Sequence, residues 1–147
     1  MAKLNVVKDP NPILRKRSKD VTDFGVRLHQ LLDDMHDTMR ANPAVGIAAV
    51  QVGILWRVCL VDTDGDGIVE LVNPSLLKSS GKKIGDEGCL SVEGRRGNVA
   101  RAQRVTVRAR DRNGKFFERE FYGRDAVVVC HELDHLDGIL FTDKVAQ

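Results

Sequence analysis

Asp125-Ala126-Val127-Val128-Val129-Cys130-His131-Glu132-Leu133-Asp134-His135-Leu136-Asp137-Gly138 reads as one helix with its own start and stop signals. Asp125 stands where an N-cap belongs, and Gly138 falls just past the last turn. Val127, Val128, Val129 and Cys130 make the helix apolar nearly all round, which predicts that it is buried. His131 and His135 are four residues apart, so they share one face with Cβ atoms about 5–6 Å apart and can bind one ion. Glu132, one step round the helix, can reach a water on that ion.

Outward from this helix the chain has a mixed character. From about Val26 to Arg40, Leu28, Leu31, Leu32, Met35 and Met39 recur at spacings of three and four, predicting an amphipathic helix that stops before Pro43. Val58–Val61 and Val69–Val72 are short apolar runs joined by Asp62-Thr63-Asp64-Gly65-Asp66-Gly67, a strand pair with its turn. Val105, Val107 and Ala109 alternate with Thr106, Arg108 and Arg110, and Asn113-Gly114 turns the chain into Lys115–Tyr122, a second hairpin. Pro10, Pro12, Pro43 and Pro74 are expected where elements begin or end. A helix, several antiparallel strands and a second helix predict an α+β fold, its strands and hairpins packed around the buried helix that carries the two histidines. With 147 residues and no repeat or linker, residues 1–147 are expected to form a single domain.

The opening residues, Met1-Ala2-Lys3-Leu4-Asn5, lack the apolar core of a signal peptide, and no stretch reaches the ~18 apolar residues of a membrane span. A cytoplasmic location without a membrane partner is expected. Three cysteines in such a chain are expected to be reduced thiols, one of them available as a ligand. A formal net charge of +2 is too small to imply a specific nucleic-acid partner. Arg95–Arg112 does carry seven arginines against the single Asp111. Arg108 and Arg110 alternate with apolar residues and no aromatic interleaves along the strand, so a solvated sheet face is favoured over a basic RNA- or ribosome-binding surface. Weak ribosome association is the functional remainder. The acidic turn 62–67 imitates the start of a calcium loop, but the twelfth position is Asn73 rather than a bidentate Glu.

A tetrahedral catalytic site needs three protein ligands and one open position. In zinc proteases the third ligand lies downstream of the paired histidines, and the 12 residues after His135 hold no His, Glu or Cys. The extended protease pattern would put a His at position 141, which is Phe141. A zincin-like metalloprotease is therefore the weaker enzyme reading, and the third ligand must lie upstream. Cys130 points about 100° away from His131 around the helix. His29 and His36 sit among charged residues of the first helix, and Cys59 lies within an apolar strand as a small buried thiol. Cys89, in Glu87-Gly88-Cys89-Leu90-Ser91, follows a glycine that permits close backbone approach and is the best third ligand.

At these residues the chain resembles peptide deformylase. Glu87-Gly88-Cys89-Leu90-Ser91, His131-Glu132-Leu133-Asp134-His135 and Gly46-Ile47-Ala48-Ala49-Val50-Gln51 are similar to that family's three blocks, in the same order. Ala44, Val50 and Cys130 depart from common family residues without touching the chemical groups, whereas Leu90 follows the pattern of active members. The chain ends at Gln147, short of the long C-terminal helix that some members use to dock on the ribosome, so docking by that route is not expected.

The resemblance implies removal of the formyl group from N-formyl-methionyl nascent peptides, with release of formate. It implies one divalent ion, Fe²⁺ first, with Zn²⁺, Ni²⁺ or Co²⁺ as alternatives, on Cys89, His131 and His135 with water as fourth ligand. Glu132 would be the general base, and Gln51 with the backbone N–H of Leu90 would steady the oxyanion. Val45, Gly46, Val127 and Val128 would line the methionine slot, with Arg96 at its mouth and Gly88 beside it.

Overall fold

The computed structural model describes residues 3–145; Met1, Ala2, Ala146 and Gln147, on which the expectations about the two chain ends partly rest, lie outside the described residues. The first long helix, α1 (Val26–Ala41), is followed by β1 (Gly46–Ala48), a 3₁₀ turn over Ala49–Val52, β2 (Val58–Thr63), β3 (Gly67–Ser80), β4 (Lys83–Cys89), β5 (Val92–Arg101), β6 (Arg104–Arg110), β7 (Phe116–Tyr122) and α2 (Arg124–Leu136). Every strand pairing is antiparallel. The strands form a five-stranded sheet in the order β1-β2-β3-β6-β7 and a separate β4-β5 ribbon. This is the α+β arrangement expected from the sequence.

β2 explains why its sequence is apolar without alternation. Val58 and Leu60 join α1 residues Leu28, Leu32 and Met35 in one core cluster. Cys59 and Val61 face the opposite way, into a second cluster with Val128, Val129 and Leu136 of α2 and with Leu71, Val105, Val107 and Phe121. A strand covered on both faces needs apolar side chains at successive positions. Cys59 is fully buried, as its strand position predicted.

Two expectations need correction. Asp125 is not the N-cap of α2: Gly123, at φ 56°, holds that position, and the Asp125 carboxylate instead accepts the backbone N–H of Asp64 at 3.0 and 3.2 Å. Its acceptors are spent on the β2–β3 turn. Pro74 lies inside β3, not at its end. The ladder to β6 is interrupted between Val72 and Ser75, where a proline costs no ladder bond. Asn73 sits there at φ 50°, its side-chain amide accepting from Val21 N–H at 2.8 Å and donating to Val21 O at 2.9 Å. The aromatic-free pattern of the arginine strand holds. None interleaves along β6, but across the ladder Arg104 stacks over Tyr122 and Arg108 and Arg110 stack over Phe116.

The end of α2 follows the sequence. Gly138 N–H donates to His135 O and Ile139 N–H to Asp134 O, the paired bonds of a Schellman stop. Gly138 has φ 76°, and a Cβ there would come within 2.4 Å of Arg15 O. The stop thus also seats the end of the metal-motif helix against the N-terminal part of the chain.

The two α1 histidines are structural. His29 Nε2 lies 2.7 Å from Arg112 O, and His36 Nε2 lies 2.8 Å from Glu70, which also accepts two bonds from Arg112. Burial would raise the Glu70 carboxyl, but the Arg112 and His36 bonds outweigh it and hold it below 4.5. A carboxyl lowered in the folded state contributes stability above its unfolded value and loses that contribution as pH falls through its folded value. Glu70→Gln is expected to cost about 1–3 kcal/mol at pH 7, with the gap to wild type narrowing below pH 4.5. Urea unfolding across that range checks it, and a pH-independent gap would refute the linkage.

Candidate active site

Cys89 closes β4, and Leu90-Ser91 form the turn into β5, with Cys89 paired to Val92. The Cys89 Sγ and one ring nitrogen each from His131 and His135 lie within 4.8 Å of one another. Among the described residues this is the one group of three or more His, Cys, Asp and Glu side chains arranged to hold a metal ion. Sγ is 3.3 Å from His135 Nε2, and the two imidazole centroids are 5.0 Å apart, edge to face. The structure therefore brings together the three residues singled out from sequence. Cys130 points elsewhere, into a separate cavity of about 420 Å³ on the other side of α2.

The surroundings orient these groups. His131 Nδ1 faces Glu87 Oε1 at 3.0 Å, which turns the opposite ring nitrogen toward Cys89. Glu87 is itself held by two bonds from Arg101, at 2.8 and 3.0 Å, and Arg101 donates to Asp134 at 2.6 Å. Burial would raise Glu87, but the bonds from His131 and Arg101 prevail and bring it to about 2. Burial would lower His131, yet its bonds to Cys89 and Glu87 carry it up to about 10. His135 is lowered to about 3, by burial first and then by the neighbouring His131 and Arg101 charges. Such carboxylate-to-histidine contacts fix the imidazole of a metal site and raise its basicity.

Sequence reasoning passed over Glu87, Arg101 and Asp134. Glu87 had a signal only in its place two residues before Cys89 within the same short block. Arg101 had none, because it meets Glu87 only through the β4-β5 ribbon and Asp134 only through the packing of α2.

Glu132 is 3 % exposed. Burial pushes its carboxyl up to about 7 against the nearby positive charges. β1 passes directly over it: a Cβ on Gly46 would lie 2.6 Å from Glu132 Oε2 and 2.8 Å from Val128 Cγ1. Gly46 is therefore what allows strand and carboxylate to approach this closely. Gln51 comes from the 3₁₀ turn after β1. Its Oε1 accepts Ala48 N–H at 2.9 Å, so its Nε2 is turned toward Ser91 Oγ at 3.2 Å and Cys89 Sγ at 3.5 Å.

These groups open on a cleft of about 570 Å³. Val45, Gly46, Gly88, Arg96, Val127 and Val128 all line it, as do Gln51, Leu90 and Glu132. Arg96 lies over Gly88 and pairs with Asp86 at 2.7 Å in solvent.

The donor set fits a metal ion. One thiolate and two imidazoles suit divalent iron, zinc, nickel or cobalt, and three ligands leave the open position of a catalytic site. Glu132 Oε1 is buried without a hydrogen-bond partner among the described residues, as expected of a group set aside for a water.

The sequence model of polypeptide deformylase matches residues 3–147. The chain belongs to the polypeptide deformylase family. It is 53 % identical over 133 residues to the peptide deformylase of Caldicellulosiruptor bescii, covering 90 % of this chain and 80 % of that one. Identity to peptide deformylase 1 of Bacillus cereus is 47 % over 148 residues, covering 100 % and 95 %. The class I type b peptide deformylase of Acinetobacter baumannii, solved with Met-Ala-Ser bound, superposes with a TM-score of 0.92 at 39 % identity, covering 97 % of this chain and 98 % of that one. Peptide deformylases are metal-dependent hydrolases that remove N-formyl groups from nascent peptides. Neither the protease reading nor the RNA-binding reading finds support among these relatives. No helix of the described residues is long and apolar enough to cross a membrane.

Proposed function

We propose that residues 1–147 act as one catalytic domain that deformylates N-formyl-methionyl peptides in the cytoplasm, with Cys89, His131 and His135 holding one divalent ion, Fe²⁺ in the first instance. The observation that carries this reading is the convergence of three ligand atoms within 4.8 Å at the base of a cleft that Glu132 and Gln51 also line. When bound, the ion supplies Lewis acidity and lowers the pKa of water towards ~7.

The chain's own residues do the rest. Glu132 takes the proton of the attacking water and later delivers it to the leaving amine, so water and the formamide become formate and a free N-terminus. Gln51 Nε2 and the Leu90 backbone N–H donate to the oxyanion that develops on the formyl oxygen. Their positions are fixed in advance by Ala48 and by the β4–β5 turn, so little reorganisation is needed as charge builds. Val45, Val127 and Val128 form the apolar slot for methionine, with Gly46 and Gly88 admitting the peptide backbone and Arg96 at the rim. The A. baumannii relative's complex with Met-Ala-Ser supports a peptide of this kind.

Purified without oxygen, the protein is expected to carry about one iron per chain and to release formate from formyl-Met-Ala-Ser. Activity should fall on exposure to air and vanish on chelation. Undiminished formate release after the metal is stripped would overturn the reading, and zinc with air-stable activity would reassign the ion alone.

A further inference from the structure

Gln51 and Leu90 lie on parts of the chain that share no sheet. Gln51 follows β1 at the edge of the five-stranded sheet, whereas Leu90 is in the turn of the two-stranded β4-β5 ribbon. A two-stranded ribbon is marginally stable by itself, and the direct side-chain tie, Gln51 Nε2 to Ser91 Oγ and Cys89 Sγ, uses the same amide that would have to turn to the oxyanion, so the spacing of these two donors needs a support that stays in place. The N-terminal segment crosses both. Val7 N–H donates to Gln51 O at 2.7 Å, and Asp9 N–H donates to Ser91 O at 2.7 Å. Between them, Lys8 Nζ reaches the Leu90 carbonyl at 2.9 Å and Glu93 Oε1 at 2.6 Å, just past the turn.

We infer that Val7–Asp9 is a strap that sets the spacing of the Gln51 and Leu90 donors, and that Lys8 is a positioning residue for deformylation. The inference rests on the oxyanion roles proposed above for those two residues. Lys8 holds no reacting atom. It pins the carbonyl of Leu90 and the first residues of β5 together, which fixes the turn from which the Leu90 N–H projects. Backbone bonds on either side tie that turn to Gln51. A donor displaced by a fraction of an ångström still admits substrate but meets the oxyanion poorly, so the loss falls on turnover rather than on binding.

Lys8 lies at the cleft rim with its side chain nearly half exposed, so Lys8→Met should fold normally. In the metal-loaded enzyme, with formyl-Met-Ala-Ser, kcat is expected to fall about tenfold with KM within twofold. Lys8→Arg, which can span the same two acceptors, should recover most of it. Metal content and melting temperature should match wild type in both variants. Gln51→Ala is measured alongside. If it loses activity while Lys8→Met does not, the strap is refuted and the donor reading stands. If Gln51→Ala keeps full activity, the donor reading itself fails. A Lys8→Met loss that tracks lost metal, or that appears as a raised KM, overturns the positioning role.

Discussion

Glu132→Gln is expected to keep its metal and its fold while deformylation falls by about 10³-fold, within the ~10²–10⁴ range for a positioned general base. The amide has nearly the volume of the carboxylate, and the site has no room for more, since β1 crosses Glu132 at Gly46. The substitution therefore removes a base without opening a cavity. Glu132 Oε1 has no hydrogen-bond partner among the described residues, so the substitution breaks no hydrogen bond at that oxygen. Burial lifts the carboxyl to about 7, which makes proton uptake near neutrality favourable. Formate release measured beside elemental analysis of the same preparation decides the matter. A variant that retains its metal and turns over at the wild-type rate would exclude Glu132 as the base.

How much of this was legible beforehand depended on whether a residue acts within one element or between several. The spacing of His131 and His135 is a property of a single helix, and Gly138 ends that helix for a local reason, so both could be read from sequence. β2 and the β6-β7 hairpin were legible because burial on one or both faces imposes a pattern on the side chains. The β4-β5 ribbon carries little such pattern. Lys83-Ile84-Gly85-Asp86 and Glu93-Gly94-Arg95-Arg96 are all exposed, and what holds Lys83–Asp86 in place is the backbone ladder to Asn98–Arg101. Cys89 was found by elimination and resemblance rather than by reading its strand. Asp125 went wrong because a capping residue is recognised locally, yet its carboxylate is used by a turn about sixty residues upstream. The Glu87-Arg101-Asp134 chain joins β4, β5 and α2, and the Lys8 contacts join the N-terminal segment to a turn more than eighty residues on. Nothing periodic announces contacts of that kind.

Cys89→Ala is expected to lose most of its metal and all measurable formate release, with little change in fold. Only His131 and His135 would remain as ligands, and His135 would also lose its contact with the thiol, whose Sγ lies 3.3 Å from its Nε2. Loss of an outer partner in such sites typically costs ~10–100-fold in metal affinity, and loss of a ligand atom should cost more. Cys89→Asp separates ligand chemistry from mere occupancy. A carboxylate can complete the site but is a harder donor, so metal preference should shift toward harder ions and turnover should drop even where an ion is retained. No other thiol can take over. Cys59 is fully buried within β2, and Cys130 lines the cavity on the far side of α2. Metal content per chain, determined in preparations made without oxygen, therefore reads Cys89 alone. If Cys89→Ala holds as much metal as wild type and works as fast, the third ligand is not this cysteine, and the two histidines would have to be completed by a group that the fold keeps away from them.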